Sequence, residues 1–242
     1  MKNSIIFLTT VILLVITLFG YNCKSPTETE PNTVTDIDGN VYKTIKIGDQ
    51  IWMAENLKVT HFRNGIPIPY VTDNAEWENL ETAAYCAYDN YDRNADTYGY
   101  LYNWYAVNDS CNIAPEGWHV PTENEWQELE LYLGIDPSVI EDIGHRGNDE
   151  ADKLKSESGW NSHGQTDGNG SNESGFTALP AGKRDDYSGI FGNLGWNTYF
   201  WSCTEQSTNR SWERQLYAFS PKISRSHLDK RFGFSVRCIK ND

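Results

Sequence analysis

The segment Val120-Pro121-Thr122-Glu123-Asn124-Glu125-Trp126 (VPTENEW, residues 120–126) predicts the start of the clearest helix in the chain. Thr122 can accept a hydrogen bond from a free amide of the first turn, and Glu125 can reach back to the amide of Thr122. This pattern is a capping box. The apolar side chains that follow at helical spacing are Trp126, Leu129, Tyr132 and Leu133, before Gly134 ends the run.

The chain after this helix predicts two short helices, a long loop and then strands. Asp136-Pro137 is a second cap followed by a proline suited to a first helical turn, and Asp149 to Glu157 can form a third short helix. The Gly-, Ser- and Asn-rich stretch from Gly159 to Gly175 predicts a surface loop. The remaining segments, GFTALPAG, NTYFWSC, WERQLYAF and FGFSVRCIK, indicate short strands separated by loops.

The chain before the helix predicts an antiparallel meander from Val34 to Met53. The turn dipeptides Asp38-Gly39 and Gly48-Asp49 bound a strand of alternating residues. From Asn64 to Asp96 no period is sustained, which predicts long loops. The aromatic segment from Tyr98 to Val107 fits either a short helix or a buried strand.

The first 22 residues have the pattern of a bacterial signal peptide. The apolar run from Ile5 to Gly20 is shorter than the roughly 20 residues needed to span a bilayer, and it stops close to Cys23. We therefore expect a signal peptide at 1–22, a lipidated, disordered tether at 23–33 with Cys23 as the attachment site, and one globular domain at 34–242. Ordinary secretion with a free thiol at Cys23 is the alternative.

Composition excludes some classes of partner. The 242 residues carry a formal net charge of −14, and removal of Lys2 with the signal peptide makes it more negative. Such a surface repels nucleic acid and anionic headgroups, so we expect no nucleic-acid partner. Acyl chains on Cys23 would then supply the membrane affinity, which places the protein at the cell envelope, either at the outer membrane or at the cell surface.

The cysteines predict a disulfide framework. Cys86, Cys111, Cys203 and Cys238 remain after Cys23, and an even number in an oxidising compartment indicates two bridges with three possible connectivities. No CxxC pair is present, which argues against structural zinc. We expect no metal and no cofactor.

Seven segments occur in the order typical of one family. They are VTDIDGNVYKTIKIGDQIWMAENL, YGYLYNWYAV, APEGWHVPTENEW, ADKLKSESGW, GFTALPAG, YFWSCTE and GFSVRC. The chain thus resembles the Fibrobacter succinogenes major paralogous domain over about residues 34 to 240. Members of this family look like surface or secreted lipoproteins without an assigned biochemical function.

A second, distant similarity concerns the fold. HVPTENEW resembles the RLPTEAEW motif of formylglycine-generating, sulfatase-modifying enzymes, and GFSVRC resembles their terminal strand. This resemblance implies an α+β, C-type-lectin-like domain with short antiparallel sheets, few helices, long loops and adjoining chain ends. It also implies a Cys111–Cys238 disulfide. The Fibrobacter succinogenes family usually shows a serine where this chain has Cys203, and this additional cysteine implies a disulfide between Cys86 and Cys203.

Enzyme chemistry has weak support in the sequence. Formylglycine-generating oxidases need two close cysteines, whereas Cys203 and Cys238 are far apart in sequence. Glu123 and Glu125 have capping and dipole roles available, and His119 has the setting of a partly buried structural histidine. We therefore predict no catalytic residue. The acidic loop at 89–96 fails the EF-hand pattern, although calcium binding there stays open.

Nine tryptophans and fourteen tyrosines favour a binding surface, because planar aromatic side chains stack on sugar rings and make rigid contacts to proteins. Trp52, Trp104, Trp118 and Trp126 are expected in the core. Trp160, Trp196 and Trp212 adjoin loops and are the predicted ligand contacts. The sequence predicts a non-enzymatic surface lipoprotein that binds a glycan or a protein. A structural envelope component without a ligand, and an enzyme of unknown reaction, are the alternatives.

Overall fold

The computed structural model describes residues 32–241 except 163 and 165. The predicted signal peptide, Cys23 and nearly all of the tether lie outside the described residues. Contacts along the chain group residues 31–242 into one compact unit. Within the described part, no helix is long and apolar enough to cross a membrane.

The domain opens with the predicted meander. Its strands are β1 Thr33–Thr35, β2 Val41–Ile47 and β3 Gln50–Met53, paired antiparallel. The carboxylate of Asp36 accepts the backbone N–H groups of Asp38 and Asn40, which closes the turn between β1 and β2. The meander prediction is confirmed.

Residues 54–117 contain more regular structure than their sequence indicates. The elements are α1 Asn74–Glu78, β4 Tyr85–Cys86, a 3-10 turn Tyr88–Asn90, α2 Asp92–Tyr98, β5 Leu101–Tyr102 and α3 Trp104–Val107. The prediction of loops from Asn64 to Asp96 is therefore wrong in part. Helices of five to seven residues make at most two turns, which is too short to establish a hydrophobic period. The aromatic segment after Tyr98 forms both a strand and a helix.

The main helix follows β6 Trp118–His119 and runs as α4 Glu123–Leu133. Thr122 and Glu125 form the predicted capping box, and Gly134 ends the helix with a positive φ of 120°. Trp126, Leu129 and Leu133 are buried as expected, whereas Tyr132 is exposed.

The second half of the chain is dominated by strands. After α4 come a 3-10 turn Pro137–Val139, β7 Gly144–Arg146, α5 Glu150–Leu154, β8 Ala181–Arg184, β9 Phe191–Leu194, β10 Asn197–Ser207, β11 Arg210–Tyr217, β12 Ser220–Asp229 and β13 Ile239–Lys240. The cap at Asp136 and the long loop over 159–175 agree with the sequence predictions, and the third short helix is present but ends at Leu154 rather than Glu157. Strand β10 extends beyond the predicted segment NTYFWSC, β11 covers most of WERQLYAF, and β12 lies outside the segments named from sequence.

Three sheets organise these strands. Their orders are β1-β2-β3-β13-β6, β7-β12-β11-β10-β8-β9 and β4-β5. All pairings between named strands are antiparallel except β8 with β10. Ile239 lies opposite Trp52 on one side and His119 on the other, so the last strand is held between β3 and β6. The α+β class and the predominance of sheet are as predicted, and the last strand pairs with β3 near the start of the described domain.

The core divides into three clusters. The first contains Trp104, Trp118 and Trp201. The second contains Trp52, Trp126 and Trp160 between α4 and the six-stranded sheet. The third is smaller and surrounds Trp77. The four tryptophans that the sequence assigns to the core are all buried.

The structure contains neither of the predicted disulfides, since the four cysteines of the described chain are free thiols. Cys86 lies in the third core cluster, whereas Cys203 packs against the first, so the two thiols occupy different parts of the interior. Cys111 and Cys238 contact the same cluster without a bond between them. Burial raises the pKa of the Cys86 thiol to about 12 and that of Cys203 to about 11.

Candidate functional site

Trp160, predicted as an exposed ligand contact, is a core residue with 4% of its surface exposed. Its indole N–H donates to Ser156 Oγ and to the carbonyl of Ala178, at 3.2 and 3.0 Å. The Gly-rich loop folds back over it, with Asn169 Oδ1 accepting the backbone N–H of Trp160. The prediction is wrong because loop composition says nothing about which way the preceding side chain points.

Trp196 and Trp212 are half-buried. Trp196 packs against the second core cluster. Trp212 has the guanidinium of Arg225 at 3.8 Å from its ring centroid and the ring of His227 edge-on at 5.3 Å. A ring face covered by a cation is not available for stacking, so Trp212 offers little surface to a ligand.

The carboxylates of α4 have structural partners. Glu123 makes a bidentate ion pair with Arg214 at 2.9 Å, and Arg214 also donates to Glu130 at 2.5 Å. Arg146 completes the network with a bond to Glu130 at 2.8 Å. Burial opposes ionisation of Glu123, but Arg214 and Arg225 outweigh it and lower its pKa. This network of buried, paired charges holds the helix on the sheet.

Glu125 and His119 are also committed to each other. His119 Nε2 lies 2.7 Å from Glu125 Oε1, and Glu125 Oε2 accepts the Thr122 backbone N–H at 2.7 Å. Burial disfavours the charged carboxylate, but the bonds from His119 and Thr122 lower its pKa overall. This arrangement fits the structural roles expected for both residues.

A cluster of three tyrosines forms the clearest surface feature that sequence reasoning missed. The ring centroids of Tyr70 and Tyr85 are 5.1 Å apart, those of Tyr85 and Tyr100 are 4.8 Å apart, and those of Tyr70 and Tyr100 are 6.5 Å apart. Tyr70 is 40% exposed, Tyr100 is half-buried and Tyr85 is buried beneath them. We call these three residues the tyrosine ledge.

Backbone pairing brings the ledge together from three separate segments. Tyr85 in β4 pairs with Tyr102 in β5, and a parallel bridge places Tyr70 beside Tyr85. The N–H of Tyr100 donates to the carbonyl of Leu57 at 3.0 Å, which fixes the residue just before β5. Tyr102 lies stacked below Tyr85 with a centroid distance of 6.0 Å and continues into the first core cluster. The ledge is thus the exposed end of a core aromatic stack.

Two carboxylates act on the ledge hydroxyls. Asp92 Oδ1 accepts the hydroxyl of Tyr70 at 3.0 Å. Asp38, in the β1–β2 turn, accepts from Thr60 Oγ1 at 2.9 Å and lies 2.6 Å from His61 Nδ1. Burial opposes ionisation of Asp38, but the bonds from Thr60 and His61 lower its pKa overall. Asp38 therefore carries its charge at neutral pH beside the rings.

The ledge hydroxyls stay protonated over the physiological range. Burial, followed by the neighbouring Tyr100 and the charges of Asp38 and Asp92, raises the pKa of Tyr85 to about 12. Burial and the bond to Asp92 raise the pKa of Tyr70 further, and burial with nearby carboxylates raises that of Tyr100. The surface thus combines neutral phenol groups with ionised carboxylate acceptors.

Ring spacing limits what this surface can bind. Centroid separations of 4.8–6.5 Å are those of rings in direct contact, so no cation fits between them as it would in an aromatic cage. The ring planes meet at 46–76°, so the ledge is angular, and Tyr70 is the most exposed of its three rings.

The acidic segment at 89–96 belongs to this region. It forms the 3-10 turn and the start of α2, and Asp92 bonds to Tyr70. Across residues 32–241, leaving out 163 and 165, no group of three or more His, Cys, Asp and Glu side chains is arranged to hold a metal ion. We therefore build no calcium site on this segment.

Comparison with known proteins gives one match. The sequence model of the family described as the Fibrobacter succinogenes major domain matches residues 45–240, a range that includes Tyr70, Tyr85 and Tyr100. No curated protein and no solved structure matches the chain. Because the matched range covers far more than half of the sequence, the protein belongs to the Fibrobacter succinogenes major domain family.

Proposed function

We propose that this domain is a non-enzymatic glycan-binding module and that the tyrosine ledge is its contact surface. The observation that carries the proposal is the contact cluster of Tyr70, Tyr85 and Tyr100, partly exposed and bordered by Asp92 and Asp38. The C–H face of a pyranose ring is an apolar surface that can pack against the partly exposed ring of Tyr70. Its equatorial hydroxyls are donors that match carboxylate oxygens.

Charge narrows the class of glycan. Asp38 and Asp92 lie at the ledge, and the whole chain carries a formal charge of −14. A uronate or another anionic sugar would meet repulsion there, whereas a neutral sugar would not. The proposal is therefore binding of neutral glycans.

The enzyme alternative has less support. Glu123, Glu125 and His119 already bond to other protein groups. Burial raises the pKa of Cys203 to about 11 and that of Cys238 further, which disfavours the thiolates that a formylglycine-type oxidation needs. We assign no catalytic residue.

We also propose the finer fold assignment, a C-type-lectin-like domain distantly similar to the sulfatase-modifying enzymes. The last strand held between β3 and β6, the adjoining chain ends and the long loops support it. An experimental structure with a connectivity foreign to that fold would contradict the assignment.

For location, we propose a lipid-anchored protein of the cell envelope attached through Cys23, with ordinary secretion as the alternative. The support is the apolar run before Cys23 and the polar tether after it. Metabolic labelling with a fatty-acid analogue should mark the wild type but not Cys23→Ala. Equal labelling of both proteins would exclude this anchor.

The test of the function is a glycan array probed with the full chain, followed by titration of any neutral glycan that binds. Tyr70→Ala removes the exposed ring of the ledge and should weaken binding about tenfold or more, as expected for an aromatic anchor. Tyr187→Ala is the matched control, because Tyr187 is 83% exposed in the β8–β9 turn. It should leave the affinity unchanged.

The alternatives predict other results. A structural envelope component without a ligand would bind no glycan on the array. A protein-binding module would bind no glycan but would lose capture of a protein partner in Tyr70→Ala. Unchanged glycan affinity in Tyr70→Ala would remove the ledge from the site.

A further inference from the structure

Tyr132 is the most exposed aromatic residue of α4, with 65% of its surface open to solvent. The sequence places it on the apolar face of the helix, yet it lies outside the three core clusters. An aromatic ring at this position is available for stacking against a ligand, and the groups around it decide whether a binding site is present.

The turn between β2 and β3 supports this ring from below. A side chain at Gly48 would begin 3.0 Å from the Tyr132 ring, so the ring rests on the glycine backbone. Gly48 also has a positive φ of 63°, which favours glycine in the turn. One face of Tyr132 is thereby held against the protein while much of the ring stays accessible.

Two cavities open on either side of Tyr132. The first has a volume of about 450 Å³ and is lined by Gly48, Asp49, Gln50, Glu128 and Leu131 as well as Tyr132. The second has a volume of about 290 Å³ and is lined on its polar side by Lys46, Lys153, Glu173 and Ser174. We call the two cavities and the ring between them the Tyr132 groove.

Hydrogen bonds hold the polar side chains of the first cavity in place. Gln50 Nε2 donates to the carbonyl of Glu125 and to Glu128 Oε2, both at 3.0 Å. Gln50 Oε1 in turn accepts the indole N–H of Trp52 at 3.0 Å. The amide is therefore held in place by bonds within the protein, and the carboxylates of Asp49 and Glu128 are the acceptors that line this cavity.

The second cavity is ordered in the same way. Lys153 Nζ donates to the carbonyl of Leu133 at 2.9 Å and pairs with Asp149 at 3.0 Å. Ser174 Oγ donates to the carbonyl of Lys153 at 2.7 Å. Donors and acceptors of both charge signs thus flank one exposed aromatic ring, which suits a neutral ligand rich in hydroxyl groups rather than an apolar surface or a single ion.

We propose that the Tyr132 groove is a second glycan-binding site, with a neutral pyranose stacked on Tyr132 and adjoining sugar units in the flanking cavities. It adds to the ledge and shares its ligand class, but it does not depend on binding there. Strand β2, Val41–Ile47, separates the Asp38 turn from the Gly48 turn by about 20 Å, so the groove and the ledge adjoin opposite ends of this strand. One sugar unit cannot occupy both sites, whereas a polysaccharide chain can span them and gain affinity from the linkage.

The test is isothermal titration of the full chain with four neutral tetrasaccharides: cellotetraose, xylotetraose, mannotetraose and maltotetraose. At least one should bind with two equivalents per chain. Tyr132→Ala should remove one equivalent, Tyr70→Ala should remove the other, and the double variant should bind none. Tyr187→Ala should keep two equivalents, and thermal melting should show that every variant is folded.

The outcomes separate the two proposals. If Tyr132→Ala keeps every equivalent of the wild type, or if no tetrasaccharide binds, the second site is overturned. If Tyr132→Ala loses binding while Tyr70→Ala does not, the Tyr132 groove stands and the ledge is excluded. A wild type with one equivalent that only Tyr70→Ala removes leaves the ledge as the sole site.

Discussion

Arginine side chains are buried in this domain in two chemically different ways. Arg214 is neutralised by Glu123 and Glu130, so its charge is paired. Arg237 bonds instead to the carbonyls of Met53, Phe176 and Thr177 and to Asn56 Oδ1. A guanidinium has five N–H donors in a fixed fork, so one buried side chain can tie together several loops whose carbonyls have no strand partner. This use of arginine suits a domain with long irregular segments.

Glu213 is a fully buried carboxyl group that makes no ion pair with the described residues. One of its oxygens accepts from Gln215 at 2.7 Å, while Oε2 has no hydrogen-bond partner. Burial raises its pKa to about 8, far above the ordinary glutamate value, even though the Gln215 bond acts in the opposite direction. At neutral pH the group is therefore mostly protonated in the folded protein and ionised in the unfolded chain.

This difference makes stability depend on pH. Between about pH 4.5 and 8 the folded state binds more protons at Glu213 than the unfolded state does, so its contribution to stability is complete below that range and is lost as pH rises through it. The slope is at most about 1.4 kcal/mol per pH unit. Glu213→Gln should remove this component, so that the free energy of unfolding of the variant falls less between pH 5 and 8 than that of the wild type.

Urea unfolding at a series of pH values measures this slope. Glu157→Gln, at an exposed glutamate, is the matched control and should follow the wild type. If the Glu213→Gln and wild-type curves ran parallel from pH 5 to 8, Glu213 would not be the group responsible.

At the scale of elements, α4 shows which features a sequence can specify. The capping box lies within four consecutive residues, so it can be recognised without tertiary information. The meander is equally local. Glu130 is different, because its burial depends on Arg214, which lies 84 residues further along the chain. From sequence alone, a glutamate in a helix is expected at the surface. The burial of Glu130 becomes visible only when the position of Arg214 in the sheet is known.

The cap of α4 gives a prediction at this scale. Thr122 Oγ1 accepts the Glu125 backbone N–H, and Thr204 Oγ1 on β10 accepts that of Glu123 at 2.9 Å. Thr122→Ala leaves the first of these amides without its partner and should lower the free energy of unfolding by about 1 kcal/mol. Chemical denaturation measures the change. Thr72→Ala, at an exposed threonine, is the control, and an equal loss in both variants would mean that the cap contributes nothing of its own.

The proposed binding surfaces are harder to predict from sequence than the helix. Tyr70, Tyr85 and Tyr100 lie in three segments that meet only through β4–β5 pairing and an isolated bridge. Tryptophans beside loops were the sequence candidates, yet Trp160 is buried. The density of tyrosine between residues 70 and 105 was the available signal, but it does not distinguish a core stack from its exposed end. The exposure of a side chain depends on residues distant in sequence that pack against it, and the local sequence pattern does not identify them.

At the scale of the whole molecule, the fold closes on its last strand. β13 pairs with both β3 and β6, and the residues just before it are buried, including Val236, Arg237 and Cys238. The five-stranded sheet therefore cannot be completed until the C-terminal residues are present. Contacts between distant ends of a chain raise contact order, which slows folding.

This closure gives a prediction about truncation. Removing residues 236–242 deletes β13, separates β3 from β6 and takes away the Arg237 bonds to three carbonyls, so cooperative thermal unfolding should be lost. Removing residues 1–31 is the matched control, because β1 begins only at Thr33, and the melting temperature should stay near that of the full chain. Near-ultraviolet circular dichroism during heating measures both. If the chain lacking 236–242 still melted cooperatively at the wild-type temperature, the last strand would not be needed for the stability of the sheet. If the variant lacking residues 1–31 lost its cooperative transition, residues before position 32 would be needed for folding.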